Sequence, residues 1–252
     1  MNNTQKYDVI YSLGINCACA EYLRKNHLRN KSGPLDWLVS SDNYAPFKTV
    51  LDEFKTFLDF SNLSIQKTEE KQLNIPFLHT KNNYILMHDF FKGESIEKQI
   101  TPIKQKYIRR ITRLLNALSS SKDILFIWYG ENGLVLDKNI LLPYLQQIKD
   151  KYKANIDFLF LFYNGKQNVQ REIISPHITF YNLPKEHLAL REEGKLLWDK
   201  KTIKPIISSL KLKNNKKPLY FTLRETLYRI LSSFIFNKTK RHKFLEDKLR
   251  NN

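Results

Sequence analysis

The sequence predicts an α/β protein, built on a mostly parallel sheet of about five strands with helices on both faces. Two apolar runs, residues 123–129 and 156–162, have the continuous hydrophobic character of strands that are buried on both sides. Segments with helical periodicity alternate with these runs, which is the pattern of βαβ units. With 252 residues, of which 42% are hydrophobic, the chain is long enough for one substantial core.

The local pattern predicts individual elements along the chain. The predicted strands are residues 7–13, 84–88, 123–129, 156–162 and 178–181. The predicted helices are residues 17–27, 95–118 and 138–151, and a further helical pattern covers 47–58. Residues 61–82 are polar, and we expect irregular structure there. Active sites in such sheets lie beyond the carboxyl ends of the strands.

Charge and composition divide the chain. We expect residues 1–210 to form the α/β catalytic domain and residues 211–252 to form a basic linker and an amphipathic helical tail. The net charge of +17 is uneven, because residues 201–252 hold 14 Lys/Arg against 3 Asp/Glu. The helical pattern over 223–235 and its basic flank either pack back on the domain or give residues 219–252 a contact with an anionic membrane surface. Specific nucleic-acid binding is not expected, because charge alone gives non-specific attraction.

The same sequence indicates a cytoplasmic protein that uses no metal. The N terminus has no apolar stretch, and no apolar run approaches the roughly 20 residues of a membrane span, so we expect at most a peripheral position at the inner face of the membrane. No Cys and His spacing resembles a zinc site, and no Walker or dinucleotide motif is present. We therefore expect no cofactor, unless a transferase uses an acyl donor such as coenzyme A.

Cys17 is the residue best placed for chemistry. It follows the first predicted strand and opens a helix, with Asn16 as the N-cap. Unpaired N–H groups at a helix N terminus favour a thiolate, and the amides near Cys17 and Ala18 would receive an oxyanion. Gly14 would let the chain turn tightly before the helix. Cys19 lies about 200° further around the helix, so we expect it to face the core.

A cysteine nucleophile needs a base, and His88 is the best placed of the six histidines. We predict it to be the last residue of the second strand, at the same sheet edge as Cys17. The predicted loops contain His79, His177 and His187, which stay open as alternatives.

A third group often orients such a base, and two carboxylates are candidates. Asp89 directly follows His88, although successive residues of a strand face opposite ways. Asp36 precedes Trp37 and is the other candidate. The residues alone do not separate these two.

Several short motifs resemble a bacterial family of unknown function that is labelled as papain-like cysteine peptidases. The motifs are Ser12-Leu13-Gly14-Ile15-Asn16-Cys17, Leu28-Arg29, Ser32-Gly33-Pro34-Leu35-Asp36-Trp37, His88-Asp89-Phe90 and Tyr107-Ile108-Arg109-Arg110. Leu35 replaces the phenylalanine that is usual in the family. The similarity covers about residues 7–130 well and does not extend beyond about residue 210.

The resemblance implies that Cys17 is the nucleophile and His88 the base, and we expect Trp37, Arg109 and Arg110 to bind substrate. It also implies an alternative architecture, a papain-like α+β fold with the histidine on an antiparallel sheet. The expected function is a hydrolase or acyltransferase that forms a thioester with a small-molecule, glycan or peptide substrate. By analogy, such enzymes accompany surface-polysaccharide biosynthesis. The alternative function is a non-enzymatic binder of polyanions or anionic membranes through the basic tail.

Overall fold

In the computed structural model, the described residues are 6–67, 74–130, 136–166, 168–184, 191–192, 195–196, 202–214, 219–245 and 248. The strands are β1 (Lys6–Tyr7), β2 (Val9–Ser12), β3 (Leu38–Ser40), β4 (Leu63–Ile65), β5 (Asn74–His79), β6 (Tyr84–Phe91), β7 (Asp123–Gly130), β8 (Asn155–Lys166), β9 (Gln170–Ser175), β10 (Ile178–Pro184), β11 (Arg191–Glu192), β12 (Lys195–Leu196) and β13 (Lys211–Leu212). The helices are α1 (Ala18–Lys25), α2 (Ala45–Leu51), α3 (Ile96–Leu118), α4 (Lys138–Lys151), α5 (Ile203–Ser209), α6 (Leu219–Ser233) and α7 (Lys238–Leu245).

The central sheet has five strands in the order β2-β7-β8-β10-β9. The pairs β2·β7, β7·β8 and β8·β10 are parallel, whereas β9 runs antiparallel to β10. Four of the five predicted strands are in this sheet. The prediction of a mostly parallel sheet is therefore confirmed in part, because the observed sheet is mixed and its fifth strand is β9.

Helices cover both faces of this sheet, as predicted. Along β7, Phe126 and Trp128 belong to the core that faces α2, α3 and α4. Their neighbours Leu125 and Ile127 belong to a second core that faces α1 and α5. Because successive strand residues point to opposite faces, a strand with a core on each side is apolar at nearly every position.

A second sheet has four strands in the order β3-β6-β5-β4 and is antiparallel throughout. It contains the strand of His88, so the prediction that this strand belongs to the parallel sheet is wrong. The expectation of irregular structure over 61–82 is wrong at β4 and β5, which lie in this range, and its residues 68–73 are outside the described residues. Pairing with β6 and burial of Phe77 against the first core outweigh the polar composition of this segment.

Most helix bounds agree closely with the prediction. The observed α4 has the predicted bounds, and α3 begins one residue later, after the N-cap Ser95. Helix α1 ends at Lys25, because the backbone at His27 is left-handed with φ 60°. The helical pattern over 47–58 gives the short helix α2 followed by turns, since Glu53 and Phe54 also have positive φ.

The residues that follow position 210 return to the start of the chain. Strand β13 pairs in parallel with β1, and Lys213 forms ion pairs with Asp8 at 2.9 Å and Asp123 at 2.5 Å. The division at residue 210 stays a prediction. Residues 215–218 of the predicted linker, and 246, 247 and 249–252 of the predicted tail, lie outside the described residues. Within the described part, no helix is both long and apolar enough to cross a membrane.

Candidate active site

Cys17 lies at the carboxyl edge of the central sheet, between β2 and α1. It occupies the N-cap position of α1 and already has helical backbone angles, with φ −70° and ψ −14°. The preceding residue supplies the capping side chain, because the Ala18 amide donates to Asn16 Oδ1 at 2.9 Å. The cap position is thus one residue later than predicted. The Ala18 amide, which the sequence suggested as an oxyanion donor, is engaged by Asn16 in this structure.

Gly14 is required by close approach of the backbone. A Cβ atom at this position would lie 2.6 Å from the backbone oxygen of Asn16 and 2.9 Å from Ser12 Oγ. The Gly14 amide also donates to Ser12 Oγ at 3.0 Å. The absence of a side chain at Gly14 therefore lets the chain fold tightly just ahead of Cys17.

His88 comes to Cys17 from the antiparallel sheet, and the two side chains meet. Cys17 Sγ lies 3.4 Å from His88 Nε2, within hydrogen-bonding distance for sulfur. Both residues are partly exposed. The strand does not end at His88 as predicted but continues to Phe91.

An irregular pairing in β6 surrounds His88. Phe77 pairs with Leu86, whereas Ile75 pairs with Phe90, so three residues of β6 lie opposite Pro76 alone. Proline has no N–H to donate to a ladder, and strand irregularities of this kind redirect side chains beside active sites. His88 is the middle one of these three residues, so the irregular pairing lies at the candidate base itself.

Trp37 and a buried ion pair pack beside His88. The rings of Trp37 and His88 meet edge to face, with centroids 6.4 Å apart and an interplanar angle of 88°. The guanidinium of Arg29 lies 5.2 Å from the Trp37 ring centroid. Arg29 Nε donates to Asp36 Oδ2 at 2.6 Å, and the Gly33 amide donates to the same oxygen at 2.9 Å. The Asp36 carboxylate thus holds Arg29 in place, and Arg29 in turn packs against the Trp37 ring.

Asp89 belongs to a different buried group. Its carboxylate pairs with the ammonium of Lys106 and accepts a hydrogen bond from Tyr107 OH at 2.6 Å. Burial alone would raise the pKa of Asp89, but the charge and hydrogen bond of Lys106, with the bond from Tyr107, hold that pKa below its ordinary value. Burial, followed by the charge and the hydrogen bond of Asp89, raises the pKa of Tyr107 well above its ordinary value.

The predicted substrate-binding residues occupy different environments. Trp37 is 5% exposed and its ring lies perpendicular to that of His88, which makes it a packing neighbour of the imidazole. Arg110 is 1% exposed, and burial lowers its pKa. Its neighbour Arg109 lies on the exposed side of α3. Arg110 therefore belongs to the buried charges around the site, and Arg109 to the outer surface.

The remaining thiol and histidines have other surroundings. Cys19 is 2% exposed, as predicted, and burial raises its pKa to about 12. His79 is not in a loop but in β5, fully buried, with its ring stacked on Phe57. His177 binds Asp157 at 2.8 Å near the amino ends of β8 and β10, the sheet edge opposite Cys17. His187 lies outside the described residues.

Sequence reasoning missed Lys106 and gave Arg29 and Tyr107 no individual role. A signal was available on α3, where Lys106, Arg110 and Arg113 recur at the spacing of one helix face. A basic stripe on the buried side of a helix requires buried acids, and Asp36 and Asp89 are such acids here. Among the described residues, no three metal-ligating side chains come together.

Comparison with known proteins gives a family and one distant relative. Residues 8–168 match the family model described as "Putative papain-like cysteine peptidase (DUF1796)". The chain is also similar to "Uncharacterized protein R408" of Acanthamoeba polyphaga mimivirus, with 33% identity over 133 residues, 46% of this chain and 59% of that protein. The match thus spans less than two thirds of the viral protein. No solved structure matches the chain.

Proposed function

The chain belongs to the family described as putative papain-like cysteine peptidases, and from that premise we propose that it is a cysteine-dependent hydrolase or acyltransferase with Cys17 as nucleophile and His88 as base. The observation that carries the proposal is the distance of 3.4 Å between Cys17 Sγ and His88 Nε2. An imidazole at this distance can take a thiol proton directly.

The local backbone supports an ionised sulfur. Cys17 stands at the N terminus of α1, where the helix dipole stabilises negative charge. Cys19, two residues away, has neither the exposure nor the histidine contact.

The proposed reaction has two halves. His88 Nε2 takes the thiol proton, Sγ bonds to the acyl carbon, and the bond to the leaving group breaks as His88 returns the proton to it. A thioester on Cys17 results. Water or a second acceptor then gives a proton to His88 and bonds to the acyl carbon, the S–C bond breaks, and the sulfur recovers its proton.

Trp37, Arg29 and Asp36 would act as positioning residues in this scheme. The Trp37 ring, perpendicular to the His88 ring, limits rotation of the imidazole, and the Arg29–Asp36 ion pair beside Trp37 holds that ring in place. Asp89 directs its carboxylate to Lys106 and Tyr107, so we assign it to the support of the strand that carries His88. The role in surface-polysaccharide biosynthesis stays a prediction.

Acylation by a simple donor tests the proposal. The chain is incubated with p-nitrophenyl acetate, and with acetyl-coenzyme A to test the transferase alternative, and then analysed by peptide mass spectrometry. We expect one acetyl group on the Cys17 peptide, absent in Cys17→Ala. His88→Gln should slow its formation by roughly 10²–10⁴-fold.

Cys19→Ala is the matched control, because it removes the neighbouring buried thiol, and it should acylate like the unaltered chain. If Cys17→Ala is acylated as fast as the unaltered chain, Cys17 is not the nucleophile. For a chain that does acylate, release of free acetate indicates a hydrolase. Transfer of the acetyl group to an added alcohol or amine indicates an acyltransferase.

A further inference from the structure

Helix α6 exposes an apolar stripe to solvent. Leu223 is 61% exposed, Leu227 52%, Ile230 52% and Leu231 44%. At 3.6 residues per turn these four positions fall within an arc of about 100° on one side of the helix. Just past the helix end, Phe234 is 70% exposed and Phe236 96%. The stripe is therefore continuous along one face and onto the following turn.

Helix α7 covers a different side of α6. The rings of Tyr228 and Phe244 meet edge to face at 5.9 Å, and Arg241 donates to the backbone oxygens of Ser232 and Ile235 at 3.0 and 3.2 Å. Ser232, which is 5% exposed, lies on the side of α6 opposite the stripe. A small polar residue is thus buried while leucine and isoleucine face water, the reverse of a helix that packs on its own domain.

The charge near the stripe is strongly positive. Residues 201–252 hold 14 Lys/Arg against 3 Asp/Glu, and α7 contains four Lys/Arg and no acidic residue. Lys240, Arg241 and Lys248 are exposed. An apolar face with basic flanks is the pattern of helices that lie in the plane of an anionic membrane surface.

We propose that α6 and α7 bind the surface of an anionic lipid bilayer, with the apolar stripe of α6 in the headgroup and acyl boundary. Like charge opposes a second copy of the chain on this face, because both copies bring the same basic segment. A nucleic acid would satisfy the charge but would leave leucine and phenylalanine side chains in water. A phospholipid surface satisfies both features at once.

Vesicle sedimentation of the full chain tests this inference. The vesicles are phosphatidylcholine alone, or phosphatidylcholine with about one third phosphatidylglycerol. We expect binding to the mixed vesicles only, and weaker binding at high salt because counterions screen the surface charge. Leu227→Gln with Ile230→Gln should lower the partition coefficient at least about tenfold, because two apolar side chains no longer enter the boundary.

A control variant makes the same kind of substitution, exposed isoleucine to glutamine, elsewhere on the surface. Ile108→Gln with Ile173→Gln replaces two apolar residues that are 44% and 58% exposed and lie outside the tail, and it should bind like the unaltered chain. Lys240→Gln with Lys248→Gln should weaken binding roughly fivefold for each charge removed. Circular dichroism confirms that each variant keeps its helices.

Several outcomes would overturn the inference. These are failure to bind the mixed vesicles, equal binding to the neutral vesicles, and binding that Leu227→Gln with Ile230→Gln leaves unchanged. A further outcome that would overturn it is reversible self-association without lipid that Leu227→Gln with Ile230→Gln abolishes. The stripe would then be a contact between copies of the chain. None of these outcomes concerns Cys17, so the vesicle experiment and the acylation experiment test the two proposals independently.

Discussion

Asp36→Asn removes one charge from a buried ion pair and should destabilise the protein substantially. The side chains of Arg29 and Asp36 are 5% and 2% exposed, and Arg29 Nε lies 2.6 Å from Asp36 Oδ2. Asparagine has nearly the same shape, and its amide oxygen can accept the hydrogen bonds from Arg29 and the Gly33 amide. The substitution therefore tests the charge with little change in packing.

The size of the effect follows from the charge that is left behind. Removing one partner of a buried pair costs about 3–5 kcal/mol, because the other charge remains buried without compensation. We expect about 3 kcal/mol for Asp36→Asn, at the lower end, since the hydrogen bonds to Arg29 can persist. Adding Arg29→Met removes the stranded charge, so the double variant should lose less than the sum of the single losses, by about 1–3 kcal/mol.

Urea unfolding at neutral pH measures these free energies of unfolding. The control is Glu172→Gln, which breaks an exposed ion pair with Lys138 in which the side chains are 43% and 44% exposed. Such a pair contributes about 0–1 kcal/mol. The ion pair does not stabilise the fold as we infer if Asp36→Asn lowers the free energy of unfolding no more than Glu172→Gln does. The same conclusion follows if the losses from the Arg29 and Asp36 substitutions simply add.

Three further predictions concern the surroundings of the site. Burial raises the pKa of Cys19 to about 12, so native protein should consume one equivalent of iodoacetamide and unfolded protein two, counted by mass spectrometry. Burial lowers the pKa of His79, so below about pH 6.5 the unfolded chain binds more protons than the folded protein, and the free energy of unfolding should fall as the pH drops. His79→Leu should reduce this pH dependence, which urea titrations at two pH values measure. Gly14→Ala places a Cβ 2.6 Å from a backbone oxygen. It should lower the free energy of unfolding in urea by about 1–3 kcal/mol and slow alkylation of Cys17. If both quantities are unchanged, the turn accommodates a side chain at this position without strain.

The parts of the fold that follow from local pattern were predictable from the sequence. The apolar runs that became β7 and β8 are buried on both faces, so nearly every position is hydrophobic and indicates a buried strand. Helix α4 has a clear start at Asp137, whose carboxylate accepts from the Asn139 amide at 2.8 Å. These elements depend on residues that are near each other in sequence.

The second sheet depends on pairing across long stretches of chain, which local pattern does not contain. Strand β5 includes Pro76 and is polar at both ends, so its sequence does not suggest a strand until β6 lies beside it. His88 was selected because it would share an edge with Cys17, yet it approaches from an antiparallel strand. The two residues meet although the assumed sheet was wrong, which agrees with the histidine position that the papain-like alternative implies.

The supporting charges show the same limit. Asp36 and Asp89 were both named as orienting groups, but the sequence gives no sign of which cation each one binds. The structure pairs Asp36 with Arg29, seven residues away, and Asp89 with Lys106 on α3. The packing of α3 against the sheet determines the partner of Asp89, and the fold of the segment between α1 and β3 determines the partner of Asp36.

The rate of Cys17 alkylation at about pH 6, with and without His88, tests the central claim most directly. Iodoacetamide reacts with thiolate, so a sulfur that gives its proton to His88 Nε2 should react at this pH, at least about tenfold faster than in His88→Gln. At about pH 10 the two proteins should react alike, because any exposed thiol is then ionised. The claim is contradicted if the two proteins react at the same rate as each other at both pH values, and if both rates rise with the pKa of about 8.5 of an ordinary thiol.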